Sequence, residues 1–90
     1  MSIEEIHVTD LYETLLKLKT VEEYKDFFED LCTYKEVEQM AQRIAAAKCL
    51  MAGDTYETVI KKTDISSATL SRVSKAVKYG KGYKKVLSND

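Results

Sequence analysis

Small polar and basic side chains share one helical face near the end of the chain, a pattern that suits contact with a polyanion. Short side chains at the start of such a helix let its N-terminus, with its free N–H groups and partial positive charge, approach a surface closely. Arg72 can donate paired hydrogen bonds to a guanine edge or contact a phosphate, whereas lysines attract phosphate without regard to sequence. The pattern predicts a DNA-binding face made of Lys61, Ser67, Ala68, Ser71, Arg72, Lys75 and Lys78.

The elements that must hold this face are predicted between Thr55 and Tyr79 as a short helix, a tight turn and a second helix. This layout is typical of a helix-turn-helix, whose second helix lies in the DNA major groove. Its inward residues are expected to be Val59, Ile60, Ile65, Leu70, Val73 and Val77. The alternative is a helical hairpin whose serines only cap helices, because Ser and Thr are common at helix starts.

The formal net charge of −1 hides a strong asymmetry along the chain. Residues 1–40 hold eleven acidic and four basic side chains, whereas residues 41–90 hold ten basic and four acidic ones. A basic patch confined to the predicted DNA-binding element is what phosphate contact requires. A solvated helix face is the alternative interpretation of the same charges.

The whole chain is predicted to be a single all-α domain. Ninety residues suffice for one modest core, and the chain has no Pro and only three Gly, which favours helices over turns and sheets. Helices are expected from the N-terminus to Lys19, after a capping box at Thr20 and Glu23, and along a central segment that Gly53 ends. The predicted parts are a helical dimerisation scaffold at 1–53, the helix-turn-helix at 54–79 and a tail at 80–90.

Broad apolar stripes on the first helices predict a homodimer. The stripe Val21, Tyr24, Phe27, Phe28 and Leu31 marks the expected buried side of the second helix. A small chain cannot cover all of this surface by itself, so a second copy is expected to do so. A monomeric helical bundle is the alternative.

Little in the chain indicates catalysis or metal binding. His7 is the sole histidine, so neither a histidine metal cluster nor a catalytic triad can be built, and no enzyme is predicted. Cys32 and Cys49 are expected to be buried thiols, which makes a cytoplasmic location the default. No apolar run is long enough to span a membrane, and the acidic N-terminus does not resemble a signal peptide.

Four segments carry a family resemblance: LCTYKEVEQMAQRIAAAKCLMAGDTY at 31–56, GDTYE at 53–57, which overlaps its end, ATLSRV at 68–73, and YGKGY at 79–83. They resemble the Trp-repressor superfamily, above all its YerC/YecD branch of bacterial Trp-repressor-related proteins. The resemblance implies an intertwined all-α homodimer in which the N-terminal helices of the two chains wrap each other. It also implies transcriptional regulation through an operator in double-stranded DNA.

The resemblance further implies a candidate effector pocket. Thr33, Arg43 and Arg72 stand where the superfamily's regulated member has the threonine and two arginines of its tryptophan site. Val73 replaces a glycine and Ala76 a serine of that site, which argues against tryptophan as corepressor, and no cofactor is predicted. The two arginines would then be structural, paired with acids of the scaffold, or Arg72 would contact DNA.

Two functions from different classes follow from the sequence. The first is a dimeric, sequence-specific DNA-binding regulator, most simply a repressor. The second is a protein-interaction module that uses the same basic hairpin against an acidic protein partner. The acidic N-terminal half favours the first, because it would keep the scaffold away from DNA.

Overall fold

A computed structural model describes residues 1–88 and shows an all-α chain, without a strand in that range. Its helices are α1 (Ile3–Leu15), α2 (Val21–Leu31), α3 (Tyr34–Met51), α4 (Tyr56–Thr63), α5 (Ser67–Tyr79) and α6 (Gly82–Leu87). They fall into two compact units, Met1–Tyr34 and a second that starts at Lys35. None of the described helices combines the length and the apolar character that crossing a bilayer requires.

The first unit is built on two well-capped helices. The Ser2 hydroxyl accepts a hydrogen bond from the Glu5 amide at the start of α1. The capping box predicted for α2 is confirmed, since the Thr20 hydroxyl accepts from the Glu23 amide and the Glu23 carboxylate accepts from the Thr20 amide. Local hydrogen bonds therefore fix where both helices begin.

The prediction that the first helix runs to Lys19 is wrong, because α1 ends at Leu15. Beyond it the chain tightens into short turns, with hydrogen bonds from the Lys17 amide to the Thr14 carbonyl and from the Leu18 amide to the Leu15 carbonyl. The physical reason lies downstream: Thr20 must be extended, at φ −122° and ψ 158°, to cap α2. A continuous helix would leave α2 without that cap.

The core of the second unit forms where α3, α4 and α5 meet. Small side chains on α3 allow the close approach, and the fully or nearly fully buried apolar residues are Ala46, Ala47, Val59, Ile65, Leu70 and Val73. Val77 packs against this cluster, as predicted. The prediction for Ile60 is wrong, since its side chain is 38% exposed. Adjacent helix positions lie about 100° apart, so a short helix that points Val59 inward turns Ile60 away.

The end of α3 follows the predicted glycine stop. Gly53 has a φ of +96°, in the left-handed region that glycine tolerates. The Gly53 amide donates to the Leu50 carbonyl and the Asp54 amide to the Cys49 carbonyl, both at 3.0 Å. This pair of bonds is the Schellman motif, which satisfies the last carbonyls of a helix.

Part of the segment predicted as a tail is helical, since α6 lies within 80–90 and residues 89 and 90 are outside the described range. Tyr83 and Leu87 of α6 pack against the core cluster. The chain turns from α5 into α6 at Gly80, whose amide donates to the Ala76 carbonyl at 2.8 Å. The division of the chain at 53 and 79 stays a prediction.

The corner between α5 and α6 yields a stability prediction. A Cβ atom on Gly80 would lie 2.6 Å from the Ala76 carbonyl oxygen, whereas one on Gly82 would meet nothing within 4 Å. Gly80→Ala is therefore expected to lower the free energy of unfolding by about 1–3 kcal/mol, because the backbone must shift. Gly82→Ala, the matched control, is expected to raise it by up to about 1 kcal/mol, because alanine favours a helix.

Urea unfolding of both variants at one protein concentration measures this difference. Equal stability of the two variants would contradict the packing described for this corner.

Candidate nucleic-acid interface

The outer face of α5 carries the residues that the sequence singled out. Six predicted contact residues lie on α5 and one on α4, and the structure leaves all seven exposed: Lys61, Ser67, Ala68, Ser71, Arg72, Lys75 and Lys78. The opposite side of α5 is buried through Leu70, Val73 and Ser74. This division fixes which side of the helix faces solvent. That these residues bind DNA stays a prediction.

The start of α5 is set by Ser66. Its hydroxyl accepts a hydrogen bond from the Thr69 amide at 3.2 Å, so Ser66 rather than Ser67 is the cap. Ser67 is exposed at the first helical position, and its hydroxyl has no cap bond to maintain. The two serines thus have different roles, since Ser66 caps the helix and Ser67 is exposed at its first position.

The turn before α5 contains a residue in a strained conformation. Asp64 ends α4 at φ 57° and ψ 24°, in the left-handed region, and its amide donates to the Ile60 carbonyl. Asp tolerates this conformation better than most residues other than Gly and Asn. Ile65 follows immediately and is buried, which ties the turn to the core.

A glutamine that sequence reasoning missed contacts the same turn. Gln42 on α3 donates from its side-chain amide to the Thr63 carbonyl at 2.9 Å. Thr63 is the last residue of α4, and its hydroxyl donates to the Val59 carbonyl at 2.8 Å. The two partners are 21 residues apart, so no local sequence pattern signals the bond.

An ion pair holds the start of α4. The Thr55 hydroxyl caps the helix, and the Lys62 ammonium lies 3.0 Å from the Asp54 carboxylate. The hydrogen bond and charge of Asp54 raise the pKa of Lys62 above its ordinary value. The stability contributed by the pair is therefore present below the ordinary lysine pKa and is lost as the pH rises through the raised one.

A cleft beside α5 brings both predicted arginines together. Its volume is about 460 Å³, and its lining consists of Met40, Arg43, Ile44, Thr69, Arg72, Val73, Ala76 and Tyr83. The ion pairs of Asp54 and Glu57 in the described part of the second unit are with Lys62 and Lys61 and not with these arginines. Thr33 belongs to the first unit. Effector binding by these three residues stays a prediction.

Other reactive groups do not gather into a site in the described range. Cys32 and Cys49 are free thiols and half-buried. Among residues 1–88 no cluster of three or more metal-ligating side chains occurs. The chemistry of the second unit is therefore that of an exposed polar and basic helix beside an arginine-lined cleft.

An all-α chain in which a short helix, a turn and a solvent-facing basic helix rest on a longer helix belongs to the helix-turn-helix class. Residues 6–90 match the model of the Trp repressor protein family, and the chain is a member of that family. This family and this fold are regulatory and not enzymatic.

Two curated relatives cover about three quarters of the chain. An uncharacterized Bacillus subtilis (strain 168) protein, YerC, is 43% identical over 70 residues, which are 78% of this chain and 67% of the relative. A Trp operon repressor homolog of Chlamydia caviae (strain GPIC) is 36% identical over 70 residues, or 77% of this chain and 69% of the relative. Both similarities agree with the family assignment.

Two crystal structures share the fold. One, from Staphylococcus aureus and provisionally described as a Trp repressor, has a TM-score of 0.86 and 35% identity, over 97% of this chain and 91% of its own. The other, a TrpR-like protein from Eubacterium eligens ATCC 27750, has a TM-score of 0.85 and 41% identity, over 90% of this chain and 84% of its own. The predicted Trp-repressor-like fold is thereby confirmed.

The left-handed Asp64 yields a second stability prediction. Asp64→Gly is expected to raise the free energy of unfolding by about 0.5–1 kcal/mol, because glycine adopts this conformation without steric cost. Gly53→Ala, at the other left-handed position, is expected to lower it by about 1 kcal/mol for the same reason. Urea unfolding at fixed protein concentration compares the two, and a destabilised Asp64→Gly variant would contradict the strain assigned to this turn.

Proposed function

We propose that the chain is a DNA-binding transcriptional regulator, in the simplest case a repressor, that acts as a homodimer. The observation that carries the proposal is the two-sided nature of α5, whose polar and basic face is exposed while its apolar face is buried in the core. A recognition helix needs both properties, because it must enter the major groove as a rigid body.

The start of α5 suits contact with base edges. Ser67, Ala68 and Ser71 are small and exposed, so the helix N-terminus can approach the groove floor closely. Arg72 follows on the same side and has the paired donors that a guanine edge accepts. We therefore assign sequence readout to this first part of the helix.

The later part of α5 suits contact with phosphates. Lys75 and Lys78 are exposed further along the same face, and Lys61 is exposed on α4. The Lys61 Nζ atom lies 3.8 Å from the Glu57 Oε1 atom, but both side chains are highly exposed. This ion pair therefore competes weakly with a phosphate. The acidic N-terminal half of the chain would be repelled by DNA, which favours approach through this face.

The first unit supports the dimer. No residue of α1 or α2 is buried within the chain. Large apolar side chains are exposed there, with Ile3 73% and Val21 86% accessible. The stripe that the sequence predicted to be buried in α2 is only half-buried at Phe27 and Phe28, and its other members, Val21, Tyr24 and Leu31, are exposed. A second copy is the proposed cover. A two-fold protein reads two half-sites about one helical turn apart.

Family membership supports a regulatory role. A relative 36% identical to this chain is described as a Trp operon repressor homolog, and repression is the role we propose by analogy. The described cleft would serve an effector through Arg43 and Arg72. Tryptophan suits it poorly, because the buried Val73 and the methyl group of Ala76 line the same cleft.

The proposed phosphate contacts predict a specific salt dependence. Lys75→Ala is expected to weaken binding to a mixed-sequence duplex and to reduce the slope of log K against log salt by about one, because one phosphate fewer is neutralised. Arg72→Ala is expected to abolish or relax the preference for particular sequences. Fluorescence anisotropy at several salt concentrations measures both the affinity and the slope.

Lys25→Ala is the matched control, because it removes the same charge from an exposed position on α2. It is expected to leave affinity and slope unchanged. If Lys75→Ala and Arg72→Ala also bind like the unmodified protein, the assigned face does not contact DNA.

The uncovered apolar surface predicts how the protein unfolds. A homodimer of 10.3 kDa chains is expected in sedimentation equilibrium, and its thermal midpoint should rise with protein concentration, because folding and association are linked. Ile6→Glu, on the exposed apolar side of α1, should lower the midpoint at every concentration. A monomer whose midpoint does not depend on concentration would exclude the proposed dimer.

A further inference from the structure

We infer that Gln42 is a positioning residue for DNA recognition, and this inference rests on the proposed DNA-binding function. Its side-chain amide fixes the end of α4, and through the turn it sets the position of the α5 N-terminus. Gln42 itself lies on α3, outside the predicted DNA-binding set. Gln42 therefore acts on the orientation of the recognition helix and not on the duplex.

The contact is directional and spans two helices. The Gln42 Nε2 atom lies 2.9 Å from the Thr63 carbonyl oxygen, within the ordinary range for a hydrogen bond. Both residues are partly shielded from water, which strengthens the bond relative to one on the open surface. A shared hydrogen bond between α3 and α4 limits how far the end of α4 can move from α3.

The acceptor is a group that needs a partner. Thr63 is the last residue of α4, and the final carbonyls of a helix have no partner within it. At the end of α3 the glycine motif satisfies such carbonyls through the backbone. At the end of α4 the chain turns at Asp64, and a side chain from another helix supplies the donor.

Thr63 also connects this anchor to the turn. Its hydroxyl donates to the Val59 carbonyl and lies 3.4 Å from the Ile65 amide nitrogen. Ile65 is buried, and Ser66 directly after it caps α5. Three consecutive constraints therefore lead from Gln42 to the first turn of the recognition helix, where base contacts are proposed.

Three variants distinguish the effect of losing the hydrogen-bond donor of Gln42 from the effect of a general disturbance of α3. Gln42→Met keeps the length of the side chain and removes the hydrogen-bond donor. Gln42→Lys restores a donor of similar reach and is the rescue variant. Gln39→Met is the matched control, because Gln39 is exposed on the same helix.

Two measurements test the Gln42–Thr63 hydrogen bond, which we call the anchor: one measures order in the turn and the other measures sequence readout. Amide hydrogen exchange of Asp64 and Ile65 reports order in the turn without DNA, and it is expected to be about three- to tenfold faster in Gln42→Met, as for the removal of one hydrogen bond. Selection from a pool of random-sequence duplexes reports sequence readout. Enrichment of the preferred sequence should fall by a similar factor, while affinity for a mixed-sequence duplex stays unchanged because the net charge is the same.

Each result bears on one claim. Unchanged exchange in Gln42→Met overturns the anchor, and faster exchange with unchanged enrichment overturns its role in recognition. An equal effect in Gln42→Lys or in Gln39→Met also overturns it, because the missing donor would then not be the cause. If the unmodified protein enriches no sequence, the proposed DNA-binding function fails, and with it the role of Gln42 in recognition, while hydrogen exchange still decides the anchor.

Discussion

The burial of one side of α5 is the constraint on which the rest of the second unit depends. Leu70 is fully buried and Val73 nearly so, in a cluster with two alanines of α3 and Val59 of α4. Alanine removes bulk from α3, so the helices can approach closely enough to exclude water from this cluster. Because that side is buried, the other side of α5 faces solvent.

The same constraint separates the roles of neighbouring residues. Ser66 holds the helix end, while Ser67 next to it is presented outward. The basic side chains lie along the exposed face, where they stay hydrated and their charge remains accessible to phosphate. The polar and basic side chains of α5 thus lie on the side that the core leaves exposed.

The first unit follows a different physical logic. Its helices are defined by local caps, and many of their large apolar side chains are exposed. Surface of this kind destabilises an isolated copy, and association removes it from water. The proposed dimer, made by the first units, would bring together two of the proposed recognition helices, and a two-fold protein of this kind can contact two half-sites.

Local patterns predicted much of this structure. Helical spacing identified Val59, Leu70 and Val73 as inward-facing, and the stop at Gly53 and the capping box at Thr20 follow from short-range geometry. The exposed face of α5 was predicted from the same periodicity.

The remainder depends on contacts that no local pattern encodes. The sequence around Val59 and Ile60 does not show which of these two adjacent apolar residues is buried in the core. The helix α6, within the predicted tail, packs against the core through Tyr83 and Leu87. Gln42 resembles any other polar residue of α3 in the sequence, and its partner is 21 positions away. The cleft likewise joins residues of α3, α5 and α6, so only the resemblance to a known family pointed to Arg43 and Arg72 as members of one pocket.

Selection of bound duplexes from a random DNA library by the purified protein, at about physiological salt, tests the central claim most directly. Specific recognition by a dimer predicts an enriched two-fold motif whose half-sites are about one helical turn, roughly 34 Å, apart. Recovery of DNA without an enriched sequence would show electrostatic attraction alone and would contradict the account.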